Sequence, residues 1–312
     1  MEERNITWPS EFILLGFYEW PHLQPILFVI FLLIYFIALI GNLFLTVVIF
    51  SSSNLHTPMY FFLCNLSILD IIQTSNVMPK ILDICLTKNQ SISYLGCLTQ
   101  VFLFVTCVVV QTFLLAAMAY DRYVAICCPL RYTYLMNMTI SLHLAIISWG
   151  FGFVGSVVLI GFISHFTFTR FNIINSLLCD QESLLKLTTS NIREIKMAAL
   201  ILIFIFGFIP LAFIIVTYVF VIYNILKIHS NRGKRKAFST CSSQLTVIIL
   251  YLGILLKMYL RPNSGNSVVE GKIVSMMYIT CIPTLNPVIY SLRNKDVHMA
   301  VKKLRSTIHG RL

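Results

Sequence analysis

From residue 89 to residue 120 the chain carries no Asp, Glu, Lys or Arg, a run of 32 residues. A helix needs about 20 predominantly apolar residues to cross the hydrocarbon core of a membrane. Charged residues divide the rest of the chain in the same way, leaving windows near 25–50, 58–79, 98–120, 140–161, 197–226, 237–256 and 273–291. Only the second of these holds a formal charge, Asp70. Overall, 11% of the residues are charged, against roughly a quarter in a soluble domain. The fold class that follows is an all-α membrane protein, a seven-transmembrane helix bundle with its termini on opposite sides. No repeat of 20–50 residues is present, which argues against a transporter built from duplicated halves.

Residues 1–24 hold Glu2, Glu3, Arg4, Glu11 and Glu19 and no basic lead into an apolar core, so no cleaved signal peptide is expected. Orientation follows from the basic residues. Arg122, Arg131, the Lys227–Lys236 connection and the C-terminal tail together hold 13 of the 23, at higher density than the other side. Such a bias favours a cytoplasmic C-terminus. The expected organisation is an extracellular N-terminus over 1–24, a seven-transmembrane helical domain over 25–291 and a cytoplasmic tail over 292–312. In the tail Val297, Ala300, Val301 and Leu304 recur at helical spacing among Lys302, Lys303 and Arg305, the pattern of a short amphipathic helix on the inner leaflet. The basic residues thus face membrane lipid. No cytoplasmic segment is long enough to form a nucleic-acid-binding module.

Of nine cysteines, Cys64, Cys107, Cys127, Cys128, Cys241 and Cys281 fall in spans or at their cytoplasmic ends, where small apolar packing explains them. Cys97 and Cys179 fall on the extracellular side and can form a disulfide in an oxidising compartment, with Cys85 the other candidate. Asn5, in N-I-T, and Asn89, in N-Q-S, are the candidate glycosylation sites. The sequons at Asn65 and Asn137 fall inside a span and on the cytoplasmic side.

An ionisable residue inside a span is costly, which makes Asp70 a candidate functional residue, with Asn42, Ser67 and Asn286 as possible polar neighbours. Pro287 removes a backbone donor and leaves a carbonyl in the seventh span without its helical partner. Asp121 and Arg122 end the long uncharged run. Taken alone, an arginine there can simply extend its charge toward the lipid headgroups.

Five stretches of sequence together resemble the olfactory receptors, a branch of the rhodopsin-like G-protein-coupled receptors. They are Gly41-Asn42, LHTPMYFFLCNLSILD at 55–70, MAYDRYVAICCPLRY at 118–132, KAFSTCSSQL at 236–245 and PTLNPVIYSLRN at 283–294. The resemblance spans almost the whole chain. It implies a plasma-membrane receptor that binds small volatile molecules and activates a heterotrimeric G protein of the stimulatory, olfactory type. It also implies that Asp121, Arg122 and Tyr123, with Tyr218, Asn286, Pro287 and Tyr290, form the G-protein switch, above a polar core of Asn42, Asp70 and Gln111. The matching ligand positions are Phe104, Val105, Val108, Val109, Phe206, Leu255, Tyr259 and Ile279. The implied disulfide is Cys97 to Cys179.

Several residues depart from the family pattern. Gln111 stands where the family commonly has Glu, which removes one carboxylate from a sodium pocket shared with Asp70. Gln244 replaces a histidine and cannot titrate as one. Thr217-Tyr218 replaces Ser-Tyr and keeps the hydroxyl. Tyr251-Leu252-Gly253 replaces Phe-Tyr-Gly, an expected loss of the phenol at the pocket floor. Thr169 and Thr189 replace two loop cysteines, so one loop disulfide is absent and a looser loop is expected. Lys257 near the outer end of span six can meet an acidic ligand, pair with Glu270 or Asp180, or extend outward.

No nucleophile with a positioned base, metal-ligand cluster or phosphate loop occurs, so neither catalysis nor a cofactor is expected. Three other readings remain open from sequence. One is the same architecture serving an endogenous metabolite. Another is a receptor that no longer signals. The third is a channel, which would need more intramembrane charges than Asp70 alone.

Overall fold

A computed structural model describes residues 9–18, 20–165, 167–168, 172–188, 192–259, 267–293, 297 and 299–303. Hydrocarbon offers no partners for backbone N–H and C=O groups, so each crossing segment satisfies them internally as a helix. Span one is Gln24–Ser51, span two Pro58–Thr87, span three Tyr94–Cys127 and span four Met138–Ser164. Span five runs through Ile192–Ile203, a π-helical turn at Phe204–Phe208 and Ile209–Lys227. Span six is Asn231–Tyr259 and span seven Ser267–Arg293. Among the described residues six helices are long and apolar enough to cross a membrane, and span six holds a shorter apolar stretch, Cys241–Ile254.

The helices extend past the uncharged windows because helix ends carry the charges and caps. Span two continues through an ion pair between Lys80 and Asp83 (2.8 Å) and stops at Lys88, whose φ of 60° is left-handed. Ser93 caps span three by accepting from the Gly96 amide, and Asn137 caps span four by accepting from the Ile140 amide. Span five begins at Ile192, so the loop expected over 162–196 is shorter than its charge pattern suggested.

Span three is the central element, buried from Cys97 to Val124 along its inward faces. Spans two and three pack through Leu63, Leu66, Leu69, Leu114 and Leu115. Spans three and four meet over small residues. A Cβ placed on Gly152 would lie 2.4 Å from Val110 Cγ2 and 2.9 Å from the Thr106 carbonyl, and Thr106 donates to Ser156 Oγ at 2.8 Å. Ser148, Gly152 and Ser156 recur at four-residue spacing, the small-residue stripe that lets membrane helices approach closely. Large apolar side chains such as Ile40, Phe50, Phe204 and Val219 point outward, as a lipid-facing surface requires.

At one end of the bundle the N-terminal segment forms structure of its own. Strand β1 (Glu11–Leu14) lies between β2 (Ser91–Ser93) and β3 (Ile173–Ile174), antiparallel to the first and parallel to the second. Phe12 and Leu14 share one face of β1 and are completely buried with Val101, Leu159, Ile163 and Leu184. At the other end, residues 297 and 299–303 are helical, with Val297 and Ala300 buried and Lys302 and Lys303 exposed.

Replacing Gly152 with Leu is expected to remove most receptor from the cell surface, because the new side chain meets span three backbone. Gly150→Leu, which meets open space, leaves the surface level near normal. Flow cytometry of an epitope-tagged chain measures both.

Candidate functional site

Asp121 and Arg122 lie within span three, one and a half turns before its end at Cys127. Arg122 donates through Nε to Asp121 Oδ2 at 2.9 Å and also through Nη2 to the same oxygen. The other oxygen, Oδ1, accepts from the Tyr132 hydroxyl at 2.7 Å. Asp121 is completely buried, and Arg122 is only 9% exposed. An arginine reaching for lipid headgroups would not be so enclosed. Breaking a buried pair by removing one partner typically costs about 3–5 kcal/mol. Tyr132 sits in the short helix Tyr132–Leu135, outside the span, and holds the connection between spans three and four to the pair.

Around it, Tyr123 packs edge-on against Phe220 at 6.3 Å between ring centres. Tyr218 and Tyr290 are buried, and neither hydroxyl has a hydrogen-bond partner among the described residues. The same holds for both polar atoms of Gln244, which is completely buried. Three helices therefore bring uncompensated polar groups to one region. Such groups cost about 1–3 kcal/mol each when left dry and unpaired, which favours any rearrangement that pairs or hydrates them.

Deeper in the bundle the effect of Pro287 is visible. Lacking an N–H, Pro287 leaves the Pro283 carbonyl without its helical donor, and Asn42 Nδ2 from span one donates to that oxygen at 2.8 Å. Asn42 Nδ2 also lies 2.9 Å from the Ala38 carbonyl. Gly41 permits the contact, since a Cβ there would stand 3.0 Å from Pro287 Cγ. Beside it, Asn286 donates to Asp70 Oδ2 at 2.8 Å, joining spans seven and two. Gln111 takes another partner, accepting at Oε1 from the Tyr278 hydroxyl at 3.2 Å. The polar core is thus three ties to span seven, one each from spans one, two and three.

The phenol expected to be missing from span six is supplied one residue earlier. Tyr251 is completely buried, its oxygen 2.6 Å from Thr112 Oγ1 and 3.0 Å from the Val108 carbonyl to which it donates. Its ring lies 6.1 Å from that of Tyr278, which in turn meets Phe104 edge-on at 5.5 Å. Val105 and Val108 pack against the same core, Val109 is buried on span three, and Ile279 is buried on span seven. Phe206 is not brought to this group. It stands in the π-helical turn and packs on Phe113 and Phe151, at 6.4 and 6.0 Å, and against Gly155. The side chains of Leu255 and Tyr259 lie outside the described residues.

Cys97 and Cys179 are joined, with Cα atoms 5.4 Å apart, and Cys85 is a buried free thiol. Asp180 is occupied as the cap of the helix Gln181–Leu187, accepting from the Ser183 amide at 2.7 Å and from the hydroxyls of Ser183 and Ser176. Lys257 is exposed. Asn89 is exposed between spans two and three. Asn5, Thr169 and Thr189 lie outside the described residues.

The olfactory receptor family model matches residues 31–307. Olfactory receptor 9G19 of Mus musculus is 44% identical over 304 residues, covering 97% of this chain and 99% of that protein. Olfactory receptor 5L1 of Homo sapiens is 43% identical over 311 residues, covering 99% and 100%. Olfactory receptor 5I1 of Homo sapiens is 45% identical over 313 residues, covering 98% of each. The chain belongs to the olfactory receptor family. Olfactory receptors are multi-pass proteins of the plasma membrane that detect odorants through G-protein signalling, and they are not enzymes. Sequence reasoning about this member missed Tyr132 and Tyr251. Both were within quoted motifs, but only the three-dimensional contacts reveal their partners.

Tyr132→Phe removes one hydrogen bond to the Asp121 carboxylate and nothing else. Bonds to charged groups contribute about 1.5–3 kcal/mol, part of which is screened at this half-buried position. Ligand-independent signalling is expected to rise several-fold at equal surface expression, read with a cyclic AMP reporter. An unchanged basal level would mean that Tyr132 does not restrain the pair.

Proposed function

We propose that this receptor binds small, mostly apolar volatile molecules within the helix bundle and activates a stimulatory, olfactory-type G protein, raising cyclic AMP. The observation that carries this reading is the enclosure of Asp121 between Arg122 and Tyr132 at the end of span three. Such a pair has two discrete arrangements, closed on itself or opened toward a partner. A ligand that favours one arrangement shifts the population of the other. Tyr123, Tyr218, Asn286, Pro287 and Tyr290 belong to the same switch in this reading.

The ligand region is assigned to Phe104, Val105, Val108, Val109, Leu255, Tyr259 and Ile279. Its character is apolar, so affinity comes mainly from burial, about 25 cal/mol for each Å² removed from water. Thr112, Tyr251, Tyr278 and Gln111 form a polar floor beneath it, which links occupancy of the region to the contacts between spans three, six and seven. That floor supports a signalling receptor over one that has lost its function. The N-terminus is extracellular with Asn5 and Asn89 as glycosylation sites, and the basic C-terminal tail faces the cytoplasmic leaflet.

The test is a cyclic AMP assay in cells that express the chain with an olfactory G protein and a trafficking aid, screened against volatile compounds. Arg122→Ala is expected to abolish the response to any active volatile at equal surface level. A response that survives this substitution unchanged would return Arg122 to a purely interfacial role.

A further inference from the structure

Gln100 lies on span three, one turn below Cys97, and is only 3% exposed. Both ends of its carboxamide are used. Oε1 accepts from the backbone N–H of Cys179 at 2.7 Å, and Nε2 donates to the Asn76 carbonyl of span two at 3.2 Å. Asn76 reciprocates, its Nδ2 donating to the Gln100 carbonyl at 2.9 Å. We infer that Gln100, braced by Asn76, is a positioning residue that anchors the second extracellular loop over the ligand region, independently of the disulfide.

The chemistry admits few other side chains. The Cys179 amide is buried, so it needs an acceptor, and the same side chain also gives the Asn76 carbonyl a donor for its second lone pair. Glu can accept but not donate, and Leu can do neither. Asn76 lies three residues before Pro79, where span two already lacks one helical donor, so the reciprocal bonds also brace a weakened stretch of helix.

A disulfide fixes one point of a loop and leaves its orientation free to rotate about the linkage. The Gln100 bond fixes the adjacent backbone and so sets that orientation. Leu177 and Leu178 are consequently held inward, 1% and 2% exposed. The N-terminal segment covers the same stretch, with Leu15 N–H donating to the Ile174 carbonyl (2.9 Å) and Gly16 N–H to the Ser176 carbonyl (3.1 Å). Phe104 follows Gln100 by one turn, so the loop forms the ceiling of the region assigned to the ligand. That last step rests on the proposed function; the anchor itself does not.

A reporter cysteine at Ser176, which is 8% exposed, tests the anchor without any odorant. The full-length Ser176→Cys receptor is labelled on intact cells with a membrane-impermeant biotin maleimide, normalised to surface level, with the unsubstituted chain as background for Cys85. Adding Gln100→Leu is expected to raise the labelling rate about tenfold, the scale of losing a buried hydrogen-bonded pair. Gln100→Glu, which keeps the acceptor for Cys179, gives an intermediate rate. If Gln100→Leu is not delivered to the surface, Gln100→Ala, which likewise lacks the acceptor, decides in its place. A rate equal to the parent's at matched surface level overturns the anchor. With any volatile active in the cyclic AMP screen, Gln100→Leu is expected to speed decay of the response after washout while the maximum stays unchanged, which a general folding defect would lower instead. Faster labelling with an unchanged decay would overturn the role over the ligand region.

Discussion

A helix inside a bilayer must satisfy its own backbone, and this receptor breaks that rule at a chosen place and repairs it from a neighbour. Pro287 leaves the Pro283 carbonyl without its helical donor, and Asn42 on span one supplies one at 2.8 Å. The repair works only because Gly41 lets the two helices approach. Asn286, adjacent to the proline, reaches Asp70 on span two. Span seven is therefore held by side chains from other spans where an uninterrupted helix would hold itself. Such joints can be exchanged for others at modest free energy, as movement of packed helices requires.

The same logic recurs at three levels. Near the middle, Tyr251 ties span six to Thr112 and Val108 of span three, and Tyr278 ties span seven to Gln111. Near the end of span three the Asp121–Arg122 pair closes on itself with Tyr132. Nearby, Tyr218, Tyr290 and Gln244 are buried with polar atoms that have no hydrogen-bond partner among the described residues. The apolar packing of Leu63, Leu66, Leu114 and Leu115 holds the helices together without choosing among arrangements. The polar ties choose. Under the proposed function, this division between packing and selection lets one bundle accommodate both a resting state and a signalling one.

Much of this was legible in the sequence because lipid imposes simple rules. Gaps between charges located seven helices, and the isolated Asp70 and the Asp121–Arg122 pair marked where polar chemistry enters the bundle. The boundaries were less legible, since charges such as Lys80 and Asp83 can sit on a helix once they pair. The cap of β1, β2 and β3 was not legible at all. Strands of two to four residues, drawn from segments far apart in the chain, leave no periodic signal. Phe206 stands apart from the other expected ligand positions, in the π-helical turn at Phe204–Phe208, where it packs on Phe113 and Phe151. Leu252 suggested a lost phenol because the neighbouring Tyr251 could be placed only once its partners on span three were seen.

The central claim is that side chains on neighbouring spans complete the backbone that proline interrupts, and a double-mutant cycle tests it most directly. Asn42→Leu and Pro287→Ala, singly and together, would be compared by thermal unfolding of the purified receptor in nanodiscs. Alanine at 287 restores a donor to the Pro283 carbonyl, so Asn42 should then matter less. The account predicts a coupling of about 0.5–1.5 kcal/mol, the range of hydrogen bonds between membrane helices. Equal destabilisation by Asn42→Leu in both backgrounds would contradict it.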